Sequence, residues 1–333
     1  MNFNTFPKVE LHLHLDGSLN LELLKKITNY DLSYLKDQAI ATDSKNLKEY
    51  LKKFDFLNTF LQTKENLTTF TKQLVNDLIN DHVLYAEIRF APNKHTKEGL
   101  SLDEVVKAVL KGLNGPLKVN LILCMMREDK LEDNLKIIDL AYKYRHKGVC
   151  AIDLAGDEKN YPTKNYQKLF AYANNKKINY TIHAGEVGDL TSLKNALEFN
   201  PSRIGHGIAA INSKEIQQEL KNKDILLEIC PTSNVDTKIV KNYCDHPIKE
   251  LHKNLKVSIS TDNRTVSNIT LTKEYEKLAQ ELNFKKEDFL ACNLAGLNKA
   301  FISKRKRSKL IKKYLKSYQN WEISQKLHSK FTK

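Results

Sequence analysis

In this sequence the ionisable residues gather where short apolar runs end. One run closes on His12-Leu13-His14-Leu15-Asp16-Gly17, another on Asp153-Leu154-Ala155-Gly156-Asp157-Glu158. Three later ones close on His183-Ala184-Gly185-Glu186, Gly205-His206-Gly207 and Ser260-Thr261-Asp262-Asn263. On a strand the His-x-His spacing has a mechanical meaning, because side chains alternate. His12 and His14 point one way; Leu11, Leu13 and Leu15 point the other. Two imidazoles so placed can share one metal ion. His183 and Asp262 complete an N3O set that leaves a position for water, the donor chemistry of a catalytic zinc, although other divalent ions accept the same donors. A lone histidine at a strand end is structural more often than not. Three of them with an aspartate at one rim make a metal centre the better reading.

Other chemistries lack their residues. There is no His-Glu-x-x-His, and no His-x-Glu joined to Pro-Cys-x-x-Cys, which removes zincins and the cytidine-deaminase type. No GxGxxG or GxxxxGKS loop is present, and the Gly-rich turn Gly205-His206-Gly207 matches neither. Five cysteines are scattered, odd in number and without a CxxC pair, so they read as reduced thiols with no assigned chemistry.

The elements that must position these groups follow from periodicity. The 333 residues are 41% hydrophobic, and short β-branched runs alternate with longer amphipathic stretches. Strands are predicted at Lys8–His14, Val83–Phe90, Leu117–Cys124, Val149–Leu154, Ile178–His183, Ser202–His206, Ile225–Cys230 and Lys256–Thr261. Helices are predicted between most of them, at Leu102–Leu113, Leu131–Tyr144, Asn165–Asn174, Ser213–Leu220 and Pro247–Leu251. Eight such units fit an α/β chain folded as a (β/α)8 barrel, with catalytic groups at the C-terminal strand ends. A doubly wound sheet gives a similar alternation, so periodicity alone leaves both open. No repeat, Gly/Ser linker or Pro-rich tract divides residues 1–333, which predicts one domain. Extra helices are expected after the first strand, across Leu19–Asn80, and from about Leu271 onward. The aromatic stretch Phe54-Asp55-Phe56-Leu57 in the first of these serves either helix packing or a substrate lid.

The formal charge of +14 invites a polyanion-binding reading, but only seven of the 54 basic residues are arginine and the lysines are dispersed. The dense cluster, Ser303 to Lys316, carries Leu310, Ile311, Tyr314 and Leu315 at helical spacing, continued by Tyr318. It reads as the wet face of a C-terminal helix in a basic tail over about 303–333, with a polyanion patch as the alternative. No nucleic-acid partner is expected. No run of ~18 apolar residues exists and the first residues lack a secretory pattern, so no membrane span and a cytoplasmic location are expected.

Taken in order, PKVELHLHLDGS, DLAGDE, HAGE, RIGHG, CPTSN and STDN resemble the adenosine deaminase family of the amidohydrolase superfamily, from Pro7 to at least Asn263. The resemblance implies a (β/α)8 barrel with one zinc per chain, and a purine nucleoside as its small-molecule substrate. Its reaction is hydrolysis of the 6-amino group of adenosine and 2′-deoxyadenosine, a purine-salvage step. It assigns His12, His14, His183 and Asp262 to the metal, His14 also facing the substrate, with Glu186 as proton shuttle and His206 orienting the attacking hydroxide. Asp262 also accepts a hydrogen bond from that nucleophile. Gly156 becomes a backbone contact to the purine and Asp16 a ribose contact. One departure stands out: many relatives carry a second acid where this chain has Asn263. N7 accepts a hydrogen bond, and an amide donates without first being protonated, so Asn263 is expected to contact the ring. Adenine deaminases usually place Glu where Asp16 stands, which favours a ribose-bearing substrate; no cluster is dedicated to the phosphate of adenosine monophosphate. A silent paralogue is disfavoured by the intact ligand set. A two-metal phosphoesterase would want a bridging lysine near Asp153, and none is there.

Overall fold

The structure is a computed structural model describing residues 1–41 and 47–331; positions 42–46 of the segment after the first strand, and 332–333 of the basic tail, lie outside it. Eight parallel strands follow one another around a barrel: β1 Lys8–His14, β2 Val83–Phe90, β3 Lys118–Met126, β4 Val149–Ala155, β5 Tyr180–Ala184, β6 Arg203–His206, β7 Leu226–Ile229 and β8 Lys256–Ile259. Neighbours pair in sequence order from β1 to β8. Closure falls to a single bridge, in which His14 N donates to Asp262 O at 2.7 Å and Asp262 N donates to His12 O at 2.9 Å. The barrel is therefore sewn shut at three of the residues singled out for metal binding. Periodicity left barrel and open sheet undecided; the sheet order and this bridge decide for the barrel.

Between β1 and β2 lie α1 Leu21–Ile27, α2 Leu32–Ala39, α3 Leu47–Asn58 and α4 Lys64–Asn80. The remaining wall is α5 Leu102–Gly112, α6 Leu131–Tyr144, α7 Gln167–Asn175, α8 Leu190–Glu198, α9 Lys214–Asn222, α10 Pro231–Asp236 and α11 Ile248–Asn254. After β8 come α12 Leu271–Glu281, α13 Lys286–Lys299 and α14 Lys304–Phe331. The stretch predicted as one helix over Asn165–Asn174 begins as a 3-10 turn, Thr163–Tyr166, before α7.

Local chemistry explains the starts. α5 opens on a capping box: Ser101 Oγ accepts from Glu104 N at 3.3 Å, and the Glu104 carboxylate accepts from Ser101 N at 3.0 Å. Val105, Val106 and Val109 then bury one face. In β1 the odd leucines face the helices as alternation requires, Leu11 meeting α13 at Gly296, where a Cβ would lie 3.2 Å from Leu11 Cδ1. The long tail helix α14 packs through Tyr314, Tyr318 and Trp321, while Leu315 is exposed. Its buried stripe thus runs one turn beyond the predicted one, and its lysines from Lys304 to Lys326 face out.

The barrel interior departs from the usual branched aliphatic filling. Glu87, Arg89, Asp153, Arg203 and Glu228 are all fully buried. Buried charges must be paired. Arg89 donates to Asp153 Oδ2 and Glu228 Oε2, both at 2.8 Å, and Arg203 pairs with Glu87 at 2.6 Å. This ionic layer forms the floor of the site.

Candidate active site

The four groups proposed from sequence converge. One ligand atom from each of His12, His14, His183 and Asp262 lies within 4.8 Å of the others. His14 Nε2 and His183 Nε2 are 3.4 Å apart, and Asp262 Oδ1 lies 3.3 Å from His12 Nε2 and 3.5 Å from His14 Nε2. His12 Nε2 has no hydrogen-bond partner among the described residues.

What lies behind the imidazoles tests whether a metal fits. His12 Nδ1 is 3.1 Å from Glu228 Oε2, and His183 Nδ1 is 2.9 Å from Asp153 Oδ2. His14 Nδ1 faces Asp16 Oδ1 at 3.7 Å. A carboxylate within hydrogen-bonding distance of Nδ1, as at His12 and His183, fixes the tautomer that leaves Nε2 bare for an ion; the His14–Asp16 separation is too long for such a bond. Asp262 is treated likewise: Ser233 Oγ donates to Oδ2 at 2.6 Å, leaving Oδ1 for the centre. Burial drives the His12 and His14 pKa values down, keeping both rings neutral, as a ligand must be. Burial opposes the Asp262 charge, but the surrounding histidines outweigh it and hold the carboxyl well below its ordinary range. For His183 burial acts downward and Asp153 upward, the net being upward. The donor set fits a divalent ion of the zinc type. A second set, His12, His206, Cys230 and Asp262, overlaps it. Burial pushes the Cys230 thiol pKa far up, which disfavours the thiolate a metal needs.

Backbone strain coincides with these residues. Asp262 and His206 both hold φ near +60°, the left-handed region that non-glycine residues seldom occupy. Gly205 shows why β6 ends Gly-His: a Cβ there would sit 3.0 Å from His12 Cε1 and 3.3 Å from the His183 backbone. The barrel needs a bare position at that point.

Glu186 lies 3.6 Å, through Oε2, from His206 Nε2 at the rim, and burial raises its pKa. Its loop is held by Glu158, which accepts from Gly185 N at 3.0 Å and Val187 N at 2.7 Å and takes Ser192 Oγ at 2.9 Å. Gly156 turns the chain after β4 at φ +102°, its α-carbon so close to the Glu128 carboxylate that a Cβ would lie 2.5 Å from it. Asp16 is buried beside His14, accepts from Ala91 N at 3.3 Å, and has its pKa pushed up to about 6 by that burial. Asn263 is buried too, and one of its amide N–H groups is already spent on Tyr50 Oη at 2.9 Å; Oδ1 has no partner among the described residues. The expected donation to a ring nitrogen therefore has one amide hydrogen left to use. Tyr50 comes from α3 and reaches Ser267 Oγ at 3.0 Å, so the segment after β1 packs into the site as well as around it. Arg264 pairs with Asp81 at 2.8 Å and braces the loop after β8.

Sequence reasoning missed Glu228, Arg89, Tyr50 and His246, and it gave no role to Asp153, Glu158, Ser233 or Asn234, which lie in the quoted motifs. A charged residue inside an otherwise apolar run was the available signal for Arg89 and Glu228, since such a charge needs a buried partner.

Known proteins resemble this chain in sequence and in fold. The family model described as adenosine deaminase matches residues 7–317. The adenosine deaminase of Clostridium acetobutylicum is 40% identical over 323 residues, covering 92% of this chain and 96% of its own. That of Enterococcus faecalis is 39% identical over 326 residues, covering 94% and 97%. Among solved structures, Arabidopsis ADAL complexed with IMP superposes with TM-score 0.85 at 25% identity, over 96% of this chain and 98% of that one. The adenine deaminase of Arthrobacter aurescens superposes with TM-score 0.86 at 24% identity, over 95% and 99%, and shares the fold. The chain belongs to the adenosine deaminase family and is a hydrolase of the amidohydrolase superfamily.

Proposed function

We propose that this protein hydrolyses adenosine and 2′-deoxyadenosine to inosine and deoxyinosine, releasing ammonia, with one zinc ion per chain held by His12, His14, His183 and Asp262. One observation carries the reading: a bare three-imidazole, one-carboxylate cluster lies beside a buried carboxyl and a histidine that face each other at 3.6 Å. Zinc in such a donor set lowers the pKa of bound water toward ~7 and so supplies hydroxide at neutral pH.

The chain's own groups do the rest. Addition at C6 breaks the ring's aromaticity, and a proton on N1 compensates by leaving a neutral nitrogen. Glu186 is the acid for that proton, its raised pKa keeping it protonated further toward neutrality. The proton of the added C6 hydroxyl then passes to the exocyclic nitrogen, and as the C6 carbonyl forms the C6–N bond breaks and ammonia leaves. His206 aims Nε2 at the same space and orients the nucleophile; Asp262 accepts a hydrogen bond from it. Gly156 gives the purine a backbone face, Asp16 meets the ribose, and the remaining Asn263 amide hydrogen meets the ring. The free state of all five cysteines suits a reducing cytoplasm, and we read residues 1–333 as one barrel domain.

The test is spectrophotometric: zinc-replete protein with adenosine, deoxyadenosine, adenine and adenosine monophosphate in parallel, and Glu186→Gln alongside. Turnover of the two nucleosides, lost in the variant, is the expected result. Turnover of adenine alone would displace the ribose reading of Asp16, and no turnover of any substrate would end the proposal.

A further inference from the structure

Behind His206 runs a line of buried hydrogen bonds that begins at a group able to donate only. Ile248 N–H donates to His246 Nδ1 at 3.1 Å. With Nδ1 accepting, a neutral His246 carries its proton on Nε2, and that nitrogen lies 3.2 Å from Asn234 Oδ1. Burial keeps His246 neutral, pulling its pKa down to about 3. With its oxygen occupied as acceptor, Asn234 turns its amide nitrogen toward His206, where Nδ2 lies 3.1 Å from His206 Nδ1. His206 Nδ1 must then accept. The side chains of His246, Asn234 and His206 are nine-tenths buried or more, at 3%, 0% and 1% exposure, so water cannot substitute for any link.

We propose that Asn234 and His246 are positioning residues that lock His206 in the Nε2–H tautomer, presenting a fixed donor to the reacting space beside Glu186. The polarity is set from outside the site, by the backbone of Ile248 at the start of α11, and is relayed through α10. Each link has one allowed direction. In the serine-protease triad, which uses the same logic, the wrong histidine tautomer lowers kcat about 10⁴-fold. The kinetic consequence rests on the deaminase reading above; the tautomer itself stands on the hydrogen-bond geometry alone.

The decisive variant is Asn234→Asp. A carboxylate accepts from both neighbours, so it demands the proton on His206 Nδ1 and reverses the last link. The experiment uses zinc-loaded protein labelled with 15N-histidine, with long-range proton–nitrogen correlations assigned to His206 by the signals lost in His206→Asn. The wild type is expected to show the proton on Nε2. Asn234→Asp is expected to move it to Nδ1 and to lower kcat roughly 100-fold or more, with KM and zinc content held within about threefold. His246→Gln, whose amide nitrogen can still donate to Asn234, is expected to retain kcat within a few-fold, whereas His246→Leu should not. A wild-type proton on Nδ1 would overturn the proposal even if no variant folds. So would Asn234→Asp with kcat within threefold of wild type. A wild type without deaminase activity but with the Nε2 proton would sink the deaminase reading and leave the lock in place.

Discussion

Replacing Asp153 by Asn keeps the shape behind His183 and removes only the charge. Asp153 Oδ2 lies 2.9 Å from His183 Nδ1 and 2.8 Å from Arg89 Nη1, with no solvent contact. A hydrogen bond to a charged group contributes ~1.5–3 kcal/mol and a neutral one ~1, so the ring loses ~1–2 kcal/mol of orientation and polarisation. At ~1.4 kcal/mol per tenfold, zinc should bind roughly 10-fold more weakly, inside the ~10–100-fold range typical of groups behind metal ligands. Stability should fall by less than the ~3–5 kcal/mol of a fully broken buried pair, because Arg89 keeps Glu228 at 2.8 Å and the Leu11 carbonyl at 2.7 Å. The assay is competition for zinc against a chromophoric chelator, with a urea melt on the same sample. Zinc affinity within twofold of wild type would refute the idea that the carboxylates behind the imidazoles tune the centre.

Further outcomes follow from single contacts. Gly205→Ala places a methyl 3.0 Å from His12 Cε1, so zinc retention should drop severalfold in the same competition while the barrel still folds by circular dichroism. Glu158→Gln removes the charge that holds the amides on either side of Glu186, and kcat should fall ~10-fold or more with zinc content unchanged. Glu274 is buried against Tyr243 and its pKa is pushed up by that burial from 4.5 to about 7. A raised folded pKa means stability fully present below the unfolded value and lost as pH rises through the folded one. Glu274→Gln should therefore stabilise the protein by up to ~3 kcal/mol at pH 8 and not at pH 4, in denaturant melts at both. Equal effects at the two pH values would contradict the assignment.

Much of this site could be read from the chain, and the reason is spacing. His12 and His14 share a strand face by alternation, and the strand ends of a barrel share one rim, so the four proposed ligands needed only the right fold to meet. Strand positions came within about two residues because β-branched runs mark them. The supporting groups were less visible. Glu228 sits in Leu-Leu-Glu-Ile and Arg89 in Glu-Ile-Arg-Phe, runs whose apolar neighbours dominate the pattern; only the cost of burying a charge pointed to a partner. Tyr50 could not be found at all, since its partners Asn263 and Ser267 lie more than two hundred residues away and nothing local marks it. Asn234 and His246 act through hydrogen-bond direction, a property of three-dimensional neighbours that residue type alone does not carry.

The most direct test of the metal centre is X-ray absorption on zinc-loaded protein at one equivalent per chain. The expected spectrum contains only nitrogen and oxygen neighbours at ~2.0–2.2 Å, with the multiple-scattering pattern of three imidazoles. A sulfur shell at ~2.3 Å would bring in Cys230 and shift the ion to the set containing His206. That result would contradict both His206 as the group orienting the nucleophile and His14 as a metal ligand.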